Sequence, residues 1–334
     1  MIDPYIQNYE YVREDVRVWY ASRWEGIWPQ SQHWAQGYHS LVGTLAMCPF
    51  PASRDKAFKN RDNYEQMIRL FHPTLLVLGP TYWGDRDISH DFLGELRAGG
   101  CKIVARHGEN RPEPKFGQLA PHIDILYTCS PAFIPIYEEQ SGCNNIKLLF
   151  AATDPALFYP VDVEKQIDLM FVGHRGGTLK SRNEVVYKLS EEFKDFWVAG
   201  NWWDKARLNH WHGGIYTHNF SQWSSRARIG LCLIYDEHIS EMYHPSRLVN
   251  TMATGTFALT TYTPGLEKVF TRGEHLDWYS TYDELVEKIH YYLEHEEERE
   301  RIARQGYEHV LATATMKHRA RQVLKDVGLL REVG

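Results

Sequence analysis

Short apolar runs alternate along this chain with polar segments of helical period. Val16-Arg17-Val18-Trp19-Tyr20 is apolar and β-rich and opens into a polar stretch from Ser22 to Gln36, which predicts a first strand followed by a loop and helix. Residues 61–71 carry apolar positions at helical spacing, stop at His72-Pro73 and lead into Thr74 to Pro80, which reads as a buried strand. A helix from Ser89 to Ala98 stops at Gly99-Gly100, and Cys101 to Ala105 is the next strand. Ile123 to Thr128 and Ile146 to Phe150 supply two more, with a helix from Phe133 to Gln140 between them. Such βα alternation predicts a parallel sheet covered on both faces.

Around residues 151–166 the chain turns polar and proline-bearing (Asp154-Pro155, Tyr159-Pro160), as a linker does. A second series follows, with strands at Ile167 to Val172, Phe196 to Ala199, Ile229 to Ile234 and Thr256 to Thr260. Its helices are expected at Ser181 to Phe193, Arg247 to Thr254 and Tyr282 to His295, with a last helical run from Glu297 to Val327. The pattern predicts two α/β domains, 1–160 and 161–334, as expected of 334 residues, which exceed one ordinary core.

Composition narrows the class. Hydrophobic residues at 43% and charged residues at 24% are globular values, and no apolar run approaches the roughly 20 residues that span a bilayer. Met1 to Tyr5 has neither the basic region nor the apolar core of a secretory signal, so a cytoplasmic location is expected. Five cysteines without a C-x-x-C pair read as reduced core thiols. The net charge of -6 argues mildly against general affinity for phosphate backbones. Eleven tryptophans cluster in part at Tyr82-Trp83 and Trp202-Trp203, where packing is the first reading and sugar stacking the second.

Two segments carry candidate chemistry. Phe171-Val172-Gly173-His174-Arg175-Gly176-Gly177-Thr178-Leu179-Lys180-Ser181-Arg182 is a strand end, a glycine-rich basic loop and a helix start. Glycines let backbone N–H groups approach a phosphate, a helix start adds partial positive charge, and Arg or Lys neutralises the rest. In the second, a helix ends at Gly255, a buried strand runs to Thr260, and Thr261 to Glu267 turns through Pro264-Gly265 into another helix that Thr263 or a neighbour caps. Asp85-Arg86-Asp87 imitates the D-x-D of metal-dependent sugar transfer but is discounted, and His210-Trp211-His212 with His218 lacks the Cys or carboxylate partners of a metal site.

From Ile167 to Leu324 the sequence resembles the C-terminal domain of the spore-maturation (CgeB-like) glycosyltransferases, relatives of the large "group 1" glycosyltransferase family. Three segments carry the resemblance: FVGHRGGTLKSR (171–182), SRLVNTMATGTFALTTYTPGLEKVF (246–270), and STYDELVEKIHYYLEHEEERERIARQGYEHVLATATMKHRARQVL (280–324). Asp124 to Tyr127 and Leu148 to Phe158 match that group's run into its second domain. The resemblance implies an α/β fold of GT-B type, two Rossmann-like doubly wound domains facing a central cleft, the second binding a nucleotide-sugar donor.

It also implies roles. The donor diphosphate falls to Gly173, Arg175, Lys180 and Arg182 and to Thr263, Pro264, Gly265 and Leu266. Arg247 matches the arginine of the family's R-x-F-E helix start, whose glutamate, a ligand of the ribose hydroxyls, is replaced by Asn250; eight residues earlier Met242 stands where relatives have another Glu. His107, with Glu109, follows a strand where relatives present a histidine to the donor sugar, so these two are the catalytic candidates. The implied activity is transfer of a hexose or pentose from a nucleoside diphosphate sugar, a UDP-sugar foremost, with no metal and no cofactor and with retained configuration. The acceptor is open among a polysaccharide, a small molecule, a protein and modified DNA. Alternatives are a catalytically impaired nucleotide-sugar-binding GT-B protein, and a transferase acting on modified bases of viral DNA.

Overall fold

The computed structural model describes residues 13–22, 30–39, 41–48, 61–79, 87–109, 111–176, 180–215 and 217–330. The chain divides into two compact units, Met1–Phe150 with Thr315–Gly334, and Ala151–Ala314. Sequence pattern had placed the division at residue 160 and everything beyond it in one domain.

The first unit is built on a six-stranded parallel sheet: β1 (Arg13–Ala21), β2 (Val42–Cys48), β3 (Leu75–Leu78), β4 (Lys102–His107), β5 (Ile125–Thr128) and β6 (Ile146–Leu148), in the order β2-β1-β3-β4-β5-β6. Its helices are α1 (Gln30–His39), α2 (Arg61–Phe71), α3 (His90–Ala98), α4 (Pro114–Leu119) and α5 (Ile134–Ser141). All four residues of β3 and of β5 are buried, as in a sheet covered on both faces. Ser89 caps α3 by accepting the Phe92 N–H, and Glu65 of α2 accepts from both the Ser89 backbone and its hydroxyl.

The C-terminal helix Met316–Asp326 folds with this unit. It packs on α1, where a side chain at Gly37 would run into the Met316 carbonyl. Asp326 accepts hydrogen bonds from the Tyr127 hydroxyl and Lys147, both at 2.8 Å, while Gln322 and Arg319 donate to the carbonyls of Leu148 and Phe150.

The second unit holds a parallel sheet of β7 (Ile167–Val172), β8 (Phe196–Ala199), β9 (His210–Trp211), β10 (Ala227–Cys232), β11 (Phe257–Thr261) and β12 (Asp277–Tyr279). Their order is β9-β8-β7-β10-β11-β12, the Rossmann sequence in which direction reverses between the first and fourth strands, here β7 and β10. Helices α6 (Ser181–Glu192), α7 (Thr217–Arg226), α8 (Ser246–Ala253), α9 (Tyr282–Glu294) and α10 (Glu296–Thr313) flank it, and the C-terminal helix is α11. Leu169, Phe171, Phe196, Ile229, Leu231, Phe257 and Leu259 form its core.

The predicted helical run from Glu297 to Val327 is two helices. Ala314 ends α10, and Thr315 starts α11 with a capping box in which His318 takes the place usually held by Glu or Gln. Five elements had no sequence signal. The edge strand β2 exposes Gly43 and Thr44 and so lacks alternation, β9 and β12 span two and three residues, α4 is one and a half turns, and α7 (THNFSQWSSR) is polar and serine-rich.

Gly306 is buried within α10, and a Cβ there would overlap the His275 carbonyl. Gly to Ala in a helix interior ordinarily stabilises by about 1 kcal/mol. Here Gly306→Ala is expected to destabilise by about 1–3 kcal/mol, the cost of overpacking, and to lower rather than raise the melting temperature in calorimetry.

Candidate functional site

Just beyond the paired ends of β7 and β10, backbone carbonyls need partners. Arg247, the second residue of α8, supplies them: Nη1 donates to the Val172 carbonyl at 2.6 Å and Nη2 to the Leu233 carbonyl at 3.0 Å, with the guanidinium 4.8 Å from the centre of the Phe171 ring. A Cβ at Gly173 would lie 2.5 Å from Arg247 Nη1 and 2.8 Å from the Phe171 ring, so a larger residue there would displace the guanidinium or the ring. From α6, Arg182 donates to the His174 carbonyl and, at 2.7 Å, to the Tyr235 hydroxyl, lying 3.8 Å above the Tyr235 ring. Asn183 accepts the Gly176 N–H and donates to the Gly176 carbonyl, tying the loop to the helix behind it.

The loop is also laced to the end of β8. Gly173 N–H donates to the Ala199 carbonyl, Arg175 N–H to the Asn201 carbonyl, Asn201 N–H to His174 Nδ1, and Trp203 Nε1–H to the Gly173 carbonyl. Gly200 adopts φ +139°, and a Cβ there would overlap the Gly173 carbonyl. The basic loop is therefore a braced structure rather than a loose turn, at the topological switch where α/β sheets bind ligands.

Its electrostatics favour an anion. Burial, and then the neighbouring Arg247, pull the Arg182 guanidinium down to about 10. Among the described residues no carboxylate pairs with Arg182 or Arg247, and the Nε of each is buried without a hydrogen-bond partner. Burial, followed by the two guanidiniums, also lowers His174, which is neutral at pH 7. Arg175 and Lys180 are exposed, and among the described residues their side chains make no hydrogen bond or ion pair. The division of labour follows: Arg182 and Arg247 are largely engaged by the framework and set the potential, while Arg175 and Lys180 remain available to a ligand. Gly177, Thr178 and Leu179 lie outside the described residues, as do Tyr82-Trp83, Asp85-Arg86 and Asn110.

The second loop differs from expectation. Thr263 is fully buried and its hydroxyl donates to the Tyr243 carbonyl at 2.9 Å, so it caps nothing. The predicted helix after Pro264-Gly265 is a single 3-10 turn, Leu266–Lys268, preceded by Gly265 at φ +81°. Leu266 is buried in the core. Met242 adopts a left-handed φ of +55° and donates its N–H to the Pro264 carbonyl at 2.7 Å, so the segment leading to Arg247 is stitched to the Pro-Gly turn. Asn250, one turn beyond Arg247 on α8, keeps a buried Oδ1 with no hydrogen-bond partner. Sequence reading missed Tyr235, which supports Arg182, and Asn183, which ties the loop to α6; nothing in their spacing marks them.

In the first unit His107 ends β4 and is 1% exposed. The Tyr137 hydroxyl accepts the Glu113 N–H at 2.9 Å and lies 2.7 Å from His107 Nδ1. Among the described residues the buried Nε2 meets no hydrogen-bond partner. Burial dominates here and drops the imidazole to about 4. His107 is therefore neutral at pH 7 and a weak base. Glu109 is exposed; its carbonyl accepts from Cys129 Sγ, and its carboxylate meets no partner among the described residues. In the second unit, His210 and His212 both stack on Trp197, at ring distances of 4.9 and 4.1 Å, and among the described residues no group of three His, Cys, Asp or Glu is placed to hold a metal.

Residues 180–325 match the family model described as glycosyl transferase-like. A search of curated protein sequences finds no match. Solved structures similar to the chain include sucrose-phosphate synthase from Thermosynechococcus elongatus, at 12% identity over 92% of this chain and 98% of that one, with a TM-score of 0.65. The Anabaena protein HepE, solved with UDP, aligns at 9% identity over 94% of this chain and 100% of its own, with a TM-score of 0.64. The DNA-modifying enzyme β-glucosyltransferase aligns at 10% identity over 94% and 100%, with a TM-score of 0.63. Two parallel six-stranded sheets with flanking helices, each in its own unit, match the GT-B architecture. Among the described residues no helix is long and apolar enough to cross a membrane.

The state of His107 has a measurable consequence. An imidazole in an unfolded chain gains its proton near 6.5, and this one only near 4, so in that window the unfolded chain binds a proton that the native protein does not. Stability should fall as pH drops from 6.5 towards 4, by up to about 3 kcal/mol. Melting temperatures from pH 4 to 7 should decline more steeply in the parent than in His107→Asn; equal slopes would show that His107 is not the group responsible.

Proposed function

We propose that this protein transfers a sugar from a nucleoside diphosphate sugar, foremost a UDP-sugar, with the second unit binding the donor and the first unit serving the acceptor. One observation carries the reading: two guanidiniums without carboxylate partners among the described residues converge on Phe171 at the β7/β10 switch, beside a braced glycine loop that exposes Arg175 and Lys180. The bond between the sugar C1 and the diphosphate oxygen breaks, a bond to the acceptor oxygen forms, and the acceptor proton is released. Charge then builds on the departing diphosphate. Fixed cations and backbone N–H groups stabilise that charge without a metal, because they are already oriented when it develops. The match of residues 180–325 to a glycosyl transferase-like family, and the similarity of the fold to a protein solved with UDP, support this reading. Retention of anomeric configuration follows the family resemblance.

Asn250 favours a second reading, donor binding without efficient turnover, since an amide in place of the family's glutamate carries no charge to stabilise a developing oxocarbenium ion. Its unpartnered buried Oδ1 nonetheless suits a hydroxyl donor such as a ribose. Release of UDP from UDP-sugars in the presence of candidate acceptors separates the two readings. Modified DNA belongs among those acceptors, because one structural neighbour is a DNA-modifying glucosyltransferase.

Titration calorimetry with UDP should show binding that persists in EDTA; binding lost in EDTA and restored by Mg²⁺ or Mn²⁺ would overturn the metal-free mechanism. Arg175→Ala or Lys180→Ala should weaken UDP binding by about 1.5–3 kcal/mol, the value of hydrogen bonds to charged groups. Asn250→Ala should cost about 0.5–1.5 kcal/mol if its amide meets the ribose, and nothing if it does not. Unchanged affinity in both cation variants would remove the basic loop from the site.

A further inference from the structure

In an α/β sheet of this strand order, phosphates sit at the loop and helix start after the first strand, and the nucleoside lies beyond the end of the second. Here the first strand is β7, with the basic loop, and the second is β8, which ends at Ala199 and continues into Gly200-Asn201-Trp202-Trp203. Trp202 is 72% exposed, whereas its neighbour Trp203 is 5% exposed and packed in the core. The Trp202 backbone holds φ +67°, a left-handed conformation that a bulky side chain seldom adopts. The bonds on either side maintain it: Asn201 is tied through both its N–H and its carbonyl to His174 and Arg175, and Trp203 is tied to the Gly173 carbonyl. The segment that braces the basic loop thus presents an indole to solvent. The ring lies 5.0 Å from that of His174, centre to centre, and is tilted by 52°.

An exposed indole on a backbone fixed against the phosphate loop is suited to a flat, apolar-faced ligand group. It has few torsions to immobilise, and any base has a face to offer. We propose that Trp202 is the platform on which the donor's nucleobase stacks, an inference that rests on the nucleoside diphosphate reading above. Stacking tolerates every base, so Trp202 supplies affinity for a nucleoside over bare diphosphate and leaves the choice among bases to other groups.

Calorimetry with two probes, UDP and inorganic pyrophosphate, tests this on the full chain and its Trp202→Ala and Trp202→Phe variants. Trp202→Ala should weaken UDP binding roughly 5- to 150-fold, the range of base-on-ring stacking, while pyrophosphate affinity stays as in the parent. Trp202→Phe, which keeps an aromatic face, should recover most of the loss. UDP binding unchanged in Trp202→Ala, or UDP and pyrophosphate weakened in equal proportion, would overturn the platform while leaving the donor reading standing. A parent protein that binds neither probe would overturn both.

Discussion

The second unit depends on how the carbonyls just beyond the paired ends of β7 and β10 are satisfied. The first and fourth strands of a Rossmann sheet pair side by side, and a crevice lies beyond their carboxyl ends, where polar backbone groups need partners. Arg247 provides them for Val172 and Leu233 together. Its geometry constrains everything nearby. A side chain at residue 173 would displace the guanidinium or the Phe171 ring beneath it, and the second arginine, at 182, finds its contacts on His174 and Tyr235 instead. Positive charge held by carbonyls and aromatic faces rather than by carboxylates leaves a potential that no internal group cancels among the described residues. The positive charge at this position thus accompanies the satisfaction of the strand ends.

Strands and helices with a clear period were legible in the sequence. Residues 61–71 and 282–294 formed helices as read, and the buried strands at 75–78 and 167–172 fell where their apolar runs stood. Elements too short to show a period, such as β9 and β12, were not legible, nor was the break before Thr315, whose cap uses a histidine. Local chemistry misled at Thr263, where a threonine before Pro-Gly suggests a cap but a tertiary neighbour, the Tyr243 carbonyl, takes the hydroxyl.

The site was legible as a set of loops, and less so as a set of contacts. Residue type and spacing located the glycine-rich loop, yet they do not tell where a guanidinium points. Arg247, expected at the ligand, has both Nη groups on backbone carbonyls, and among the described residues the exposed Arg175 and Lys180 reach outward. His107 shows the same limit. Its position at the end of β4 was readable, but the burial that keeps it neutral comes from its surroundings, including Phe116 and Tyr137, drawn from α4 and α5.

The return of α11 to the first unit bears on how the protein is made. Residues 1–150 are translated before residues 319–326, yet the hydroxyl of Tyr127, the amine of Lys147 and the carbonyls of Leu148 and Phe150 are hydrogen-bonded by side chains of that later segment. The second unit is one uninterrupted stretch, complete once Ala314 has emerged. Vectorial synthesis ordinarily favours the amino-terminal domain. Here the later-translated unit is complete in sequence before the earlier one has received its last helix.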